Sequence, residues 1–537
     1  MNNNKLRRKI FFGGTIITMD DINPQVEAVG IDDEKITSIG NLEEVKNRMK
    51  EPYTLIDLHG NTLLPGFIDS HMHPILLTYY SLHLNLSTVT SLKELQNVLR
   101  DYAKNKSKDE FILGFKLNEE LFDDAILPTR YDLDDACPDH PVFLLRYDEH
   151  IGIVNSKMLK KANINNKMKN PIGGELQKTK EGNLTGILTE KALNLIFSIL
   201  PFPNPDQILE AAEKAFKSLA KKGITSIHSI LQLDKGDDLG VVEVPFYKAI
   251  QNKILQNSYA FLTTKNPNKL LKAKKSSLDG RSKDSKFKVG GLKLFLDGSF
   301  GAKTACMYKP FSDAPHTCGF CVIEEDEIYE KMKIAHNNNF QIVTHAIGDK
   351  ANRIVVNLYK KLLNEFPKED HRHRVEHASI LTKDVIEDMK KYGIIASCQP
   401  PFINSEYTWL EKRIGKQRCK YTYPMKSLVD AGILIAAGSD CPVEDPSPIL
   451  GLHALVTRND FVPEECISMK DALKTYTING AYAAFEENLK GSIEEGKLAD
   501  LVILDRNPLE VNKDEIKQIE IIETIIRGKT VYKKEGE

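Results

Sequence analysis

The chain has 537 residues, 41% of them hydrophobic, with 73 basic against 75 acidic side chains. That length exceeds one ordinary domain, although an α/β barrel of about 250 residues or more can form a single unit. A net charge of -2, with the charges scattered rather than blocked, excludes a protein built to hold nucleic acid or another polyanion.

The first residues, Met-Asn-Asn-Asn-Lys-Leu-Arg-Arg-Lys, are basic. The run that follows, Ile-Phe-Phe-Gly-Gly-Thr-Ile-Ile, is too short and too broken by glycine for a signal sequence. No apolar stretch is long enough for a membrane span. Eight cysteines in a chain of this length do not make a disulfide scaffold. A cytoplasmic protein acting on a small molecule is expected, with neither nucleic acid nor membrane as partner.

Residues 1–62 read as short strands: Lys9–Phe12, Thr15–Thr18, Val26–Ile31 and Lys35–Ile39 carry β-type side chains between Gly and Asp breaks. The tail, 485–537, is similar, with Leu501–Leu504, Ile519–Ile526 and Thr530–Tyr532. Neither end has enough strands to stand alone. The two ends are therefore expected to pair into one small composite β-sandwich; the alternative is two unrelated hairpins.

Between them, in 63–484, short apolar runs alternate with helical patterns, the signature of βα units and a parallel sheet. Candidate strands are Leu63–His73, Ile224–Ser229, Ser258–Thr263, Gly291–Leu296, Gln341–His345, Arg374–Ala378, Ile394–Cys398 and Ile433–Ser439. Amphipathic helices are predicted at Asp206–Lys222, Asp326–Asn337, Ala351–Glu365 and Thr382–Tyr392. Such a series fits an α/β fold of the (β/α)8 TIM-barrel type, whose sites form at the C-terminal strand ends. About residues 75–205 intervene between the first two strands, too many for a structureless loop. Strand-like Phe111–Phe115 and Val142–Arg146 and helix-like Thr90–Lys104 predict an inserted substructure capping the barrel mouth.

The candidate chemistry lies at the predicted strand ends. His71 and His73 share one strand face and can present two imidazoles to one ion. Lys293 lies in the fourth strand, His345 and His377 end the fifth and sixth, and Asp440 follows the eighth. Neutral imidazole suits zinc and related divalent ions, which acidify bound water. The set points to a metal-dependent hydrolase.

These fragments resemble the amidohydrolase superfamily, and within it the YtcJ-like and N-substituted formamide deformylase branch. The resemblance rests on Leu64-Pro-Gly-Phe-Ile-Asp-Ser-His71-Met-His73-Pro, Leu292-Lys293-Leu-Phe-Leu-Asp-Gly-Ser, Thr344-His345-Ala-Ile-Gly-Asp349, His373-Arg-Val-Glu-His377-Ala and Gly438-Ser-Asp440. His150 with Asn155-Ser156-Lys157, Gly223-Ile-Thr-Ser and Glu495-Gly-Lys-Leu-Ala-Asp500 agree with it. It implies a barrel with a composite β-domain and one or two divalent ions, zinc first, with iron and manganese also suited. It also implies a lysine, here Lys293, that is carbamylated by CO2 and bridges two metals; the alternative is a plain ammonium. Lys303, in a predicted loop, is the weaker substitute. Homodimers are common among such relatives, which implies a homodimer here.

The mechanism implied has His71, His73, His345, His377, Asp440 and carbamylated Lys293 as ligands. Asp440 serves as general base and then acid, and His150 from the insertion as a donor to substrate. The bond cleaved is a non-peptide C–N bond of an amide, N-acyl or N-formyl compound. A deaminase or cyclic-amide hydrolase of the same superfamily is the alternative enzyme, and a non-catalytic metal-binding scaffold the alternative class. Asp349 is expected either to orient a ligand histidine or to cap the helix after it. His228 is expected to line the pocket without binding metal. Trp409 and Tyr407 read as core or loop aromatics, with a pocket wall as the alternative. Cys318-Gly-Phe-Cys321 is a lone C-x-x-C, read as two free thiols, with zinc binding or dithiol chemistry as the alternatives.

Overall fold

A computed structural model of the protein describes residues 8–201, 203–234, 243–275 and 286–535; the first of the basic residues at the start of the chain lie outside that range. At its centre stands one parallel sheet of eight strands, neighbours following chain order. They are β1 Phe67–Met72, β2 Ile224–Gln232, β3 Asn257–Thr263, β4 Phe287–Phe295, β5 Gln341–Ala346, β6 Arg374–His377, β7 Ile395–Cys398 and β8 Ile435–Ala437. The sheet curls until its edges meet. The Asp440 amide donates to the His71 carbonyl and the His73 amide to the Cys441 carbonyl, both at 2.7 Å. This is the predicted TIM-type barrel.

Its strands are buried almost throughout, as parallel strands covered by helices must be. The helix Pro205–Lys221 shows why the cover holds. Ile208, Ala212, Phe216 and Leu219 recur at helical spacing and join the core. Helices Glu325–Asn337, Asp349–Glu365 and Lys383–Lys391 fall where the periodicity placed them, shifted by a residue or two at their starts.

The predicted strand Leu63–His73 is a correction. Thr62–Pro65 and Phe67–Met72 are two strands in two sheets. The break is Gly66, where a Cβ would stand 2.2 Å from the Thr225 side chain. Thr62–Pro65 instead pairs antiparallel with Leu501–Leu504, Leu64 opposite Val502. The termini thus share one six-stranded sheet, in the order Lys529–Lys533, Ile521–Ile526, Leu501–Leu504, Thr62–Pro65, Thr15–Ile17, Gln25–Val26. A four-stranded sheet of Lys35–Gly40, Ala28–Asp32, Arg8–Phe12 and Thr54–Asp57 faces it across Phe11, Ile16, Val29, Leu63, Ile503 and Ile525. That cross-pairing excludes two unrelated hairpins.

The insertion is a further six-stranded sheet, running from Leu84–Asn85 through Ile112–Leu117, Val142–Arg146, Ile151–Val154 and Leu184–Glu190 to Gly174–Lys178. Alternate side chains serve two cores: Phe143 and Leu145 pack on one face, Val142 and Leu144 on the other. It is clamped to the barrel by Arg146, which is fully buried and pairs with Glu119 and Asp148. Asp148 accepts from the Ser299 hydroxyl, at 2.7 Å, in the segment after β4. Among the described residues no helix is long and apolar enough to cross a membrane.

Candidate metal centre

All six candidate ligands line one cavity at the C-terminal mouth of the barrel, about 1170 Å³ including the space open to solvent. Three of them cluster tightly. Asp440 Oδ1 lies 3.3 Å from His71 Nε2 and 3.2 Å from His73 Nε2, and the ligand atoms of the three stand within 4.8 Å of one another. Lys293 Nζ is 3.4 Å from His71 Nε2, on a residue only 1% exposed. The His377 ring is 5.1 Å from that of His71 and 4.3 Å from that of His345.

Local backbone features set these positions. β1 ends at Met72, so His73 stands just past the strand, where Pro74 starts a helix with the fixed φ that suits a first turn. Gly438 lets the end of β8 touch β1: a Cβ there would lie 2.5 Å from the His71 nitrogen. His377 (φ 68°) and Asp440 (φ 60°) both adopt the left-handed conformation, a strained state for such side chains that concentrates at functional sites.

The charge states suit a cation. Burial depresses the pKa values of His73, His345 and His377, which keeps the rings neutral, as ligation requires. Burial alone would push Asp440 up, but His71 and His73 hold it well below the usual carboxylate range. His345 Nε2 faces the Gly298 carbonyl at 3.1 Å, which leaves Nδ1 as its lone-pair nitrogen. His377 Nδ1 is buried and has no hydrogen-bond partner among the described residues. A buried polar atom so placed costs free energy unless something binds it, and a metal ion fits this donor set.

His150, from the insertion, lies over the barrel residues, its ring 5.9 Å from that of His345. Its Nδ1–H donates to both oxygens of Glu190 at 3.0 Å. Burial opposes the charge on His150, but Glu190 and Asp148 raise its pKa to about 9.

Three carboxylates matter here that the sequence reading did not single out. Glu376 is fully buried and lies against His71 Nδ1, fixing that ring's tautomer and leaving Nε2 for the cavity. Glu376 accepts from Arg374 Nε (2.7 Å) and from the Ser397 hydroxyl (2.8 Å); burial opposes its charge, but Arg374 draws its pKa well down. The signal was present, because Arg374 and Glu376 are two apart on β6 and so share its inward face. Asp297 faces His345 Nε2 at 3.5 Å and accepts the amides of Ile347 (3.0 Å), Gly348 (2.8 Å) and Cys306 (2.8 Å). Burial raises its pKa to about 7. Asp69 accepts the Ser439 hydroxyl at 2.5 Å and the amides of His71 (3.1 Å) and Ser439 (3.0 Å), tying β1 to the end of β8.

Asp349 does not orient His345. It opens the helix Asp349–Glu365 and accepts the amides of Tyr308 (3.0 Å) and Lys350 (2.8 Å). His228 lies in mid-strand because β2 runs on to Gln232, and its Nδ1 meets Arg374 at 3.0 Å inside the barrel instead of lining the cavity. Phe402 and Glu406 line the cavity where Trp409 and Tyr407 were weighed; Trp409 packs into the core and Tyr407 is exposed. Lys303 stands 3.6 Å from Asp313, away from the cavity lining.

A sequence model of the amidohydrolase family matches residues 54–532. YtcJ of Bacillus subtilis is 32% identical, covering 98% of this chain and all of its own. The N-substituted formamide deformylase of Arthrobacter pascens is 24% identical over 99% of both. Among solved structures, an uncharacterized metal-dependent hydrolase from Pyrococcus horikoshii superposes with a TM-score of 0.74 at 28% identity, covering 94% of this chain and 99% of that one. A barrel whose seam gathers histidines and an aspartate, and a family match that spans barrel and composite sheet alike, lead to one assignment: the chain belongs to the amidohydrolase family.

Proposed function

We propose that this protein is a metal-dependent hydrolase of non-peptide C–N bonds, acting on a small amide of the N-acyl or N-formyl kind. The observation that carries the reading is the His71, His73 and Asp440 cluster, with ligand atoms within 4.8 Å of one another at the barrel mouth. Its likeness over nearly full length to an N-substituted formamide deformylase supports the choice of bond.

His71, His73, His345, His377 and Asp440 would hold the ion, zinc first among those suited to this donor set. When bound, it supplies a water acidic enough to ionise near neutral pH and a Lewis acid for the substrate carbonyl. Lys293, as a carbamate, would add two anionic oxygens able to span two ions. Asp440, charged and at the mouth, takes the proton of the attacking water and returns it to the departing nitrogen. His150, protonated beside Glu190, offers Nε2–H to the substrate from the insertion side. The walls around these groups are largely buried, and the lower local dielectric strengthens each of these contacts.

The test is metal content by elemental analysis on protein purified with bicarbonate and without chelator, followed by an activity screen. The expected result is bound divalent metal and turnover of N-formyl or N-acyl amines. Turnover of aminopurines or cyclic ureides alone would replace the amide reading. A chain that stays metal-free after reconstitution would overturn the hydrolase altogether.

A further inference from the structure

The C-x-x-C of the sequence does not form a pair in space. Cys321 lies instead against Cys306, Sγ to Sγ 2.8 Å, and both are free thiols. The two belong to the long segment between β4 and the helix Glu325–Asn337, which folds back on itself there. The Met307 amide donates to the Cys318 carbonyl (2.8 Å) and the Phe320 amide to the Thr304 carbonyl (3.2 Å). Gly319 makes the close approach possible: it has φ 65°, and a Cβ on it would lie 2.0 Å from the Ala305 carbonyl oxygen. The backbone thus holds the sulfurs together independently of any bond between them.

Two observations separate this pair from a metal site or a packing contact. Among the described residues, no third histidine, cysteine or carboxylate completes a ligand cluster with these sulfurs, as a structural zinc would need. Accessibility is also asymmetric. Cys306 is 4% exposed, whereas Cys321 is only partly covered. A soluble oxidant therefore meets Cys321 first, with Cys306 already in place behind it. The hydrogen bond from the Cys306 thiol lowers the pKa of Cys321, which favours the thiolate that such chemistry uses.

We propose that Cys306 and Cys321 form a peroxide-oxidisable dithiol that closes to an internal disulfide. The Cys321 thiolate attacks one oxygen of hydrogen peroxide; the O–O bond breaks, a sulfenic acid forms, and hydroxide leaves to become water. The Cys306 sulfur then attacks the sulfenic sulfur. The S–S bond forms, the S–O bond breaks, and a second water departs with the Cys306 proton. Two thiols lose two electrons and two protons in all, and one peroxide becomes two waters. The sulfurs need only a small approach to reach a bond length of about 2.05 Å. The site lies next to the candidate metal centre: the Cys306 amide is one of the donors to Asp297, and Val322, which follows Cys321, lines the cavity.

The experiment treats reduced, full-length protein with hydrogen peroxide, blocks the remaining thiols under denaturing conditions, and maps cross-linked peptides by mass spectrometry. The expected result is a loss of two of the chain's eight thiols and one linked peptide joining Cys306 to Cys321, reversed by dithiothreitol. In Cys306→Ser, the expected result is no link and a sulfenic acid at Cys321 that reacts with dimedone. Should Cys306→Ser fold poorly, Cys321→Ser, at the more open position, is expected to leave Cys306 reduced through the same treatment. A link from Cys318 to either partner, or both thiols still free after peroxide, would overturn the proposal. Neither result depends on the hydrolase reading.

Discussion

Glu376 and His71 meet inside the barrel, carboxylate to Nδ1, with neither side chain reaching solvent. The carboxylate stands behind the imidazole, on the side away from the cavity, and thereby decides which ring nitrogen faces it. Glu376→Gln keeps the shape and removes the charge. We expect metal affinity to fall about 10- to 100-fold, measured by competition with a chromophoric chelator. Arg374 also loses its charged partner, so stability should drop by roughly 3 kcal/mol. Unchanged affinity in a folded variant would leave Glu376 with a purely structural part.

Asp440→Asn tests the proton transfer. The side chain keeps its size but can no longer accept a proton from water. Turnover should fall by at least about 10²-fold with the circular dichroism spectrum unaltered. A rate like that of the parent protein would exclude Asp440 as base.

How much of this was readable in advance depended on what kind of information each feature carries. The barrel strands and helices were legible because burial imposes a period on the sequence, as in Ile208, Ala212, Phe216 and Leu219. The candidate ligands could be named because His71, His73, His345, His377 and Asp440 close or follow apolar runs, whereas Lys293 lies inside one. Their supports could not be. Asp349 and Asp297 are both carboxylates just past a strand, and only the path of the chain after β4 decides that Asp297 reaches His345. The break at Gly66 and the partner of Cys321 are set by neighbours distant in sequence, Thr225 and the Cys306 sulfur, so spacing held no trace of either.

The proposed carbamate on Lys293 is tested by the metal count. With bicarbonate present, the parent protein should carry about two equivalents of divalent ion, and Lys293→Ala about one, by elemental analysis. The Lys293 side chain is buried beside His71 Nε2, so the loss should appear in the metal content before it appears in the fold. Two equivalents in both proteins would rule out a carbamate bridge.

The opposite end of the barrel offers a pH test free of the metal. Glu486 is buried between Lys288 (2.8 Å) and Lys490 (2.7 Å). Burial opposes its charge, yet the two lysines bring its pKa down to about 2 from an ordinary 4.5. The folded value lies below the unfolded one, so its contribution is full above pH 4.5 and is lost as pH falls toward 2. Glu486→Gln should therefore melt lower than the parent at pH 7, and the gap should narrow as the solution is acidified below pH 4.5. A gap constant across that window would mean that the charge on Glu486 contributes nothing.

The seam at which the Asp440 amide meets the His71 carbonyl also dictates an order of events. One half of the seam emerges early in synthesis and the other only after the whole barrel has been made. Closure is thus among the longest-range steps this chain must take, and such steps are slow because the entropy of ordering the intervening chain comes before their reward. A nascent or truncated chain lacking the eighth strand has its histidines but no place to bring them together. An ion that prefers the closed ring will hold it shut in proportion to its concentration, so metal supply during expression should govern how much of this protein survives to be isolated.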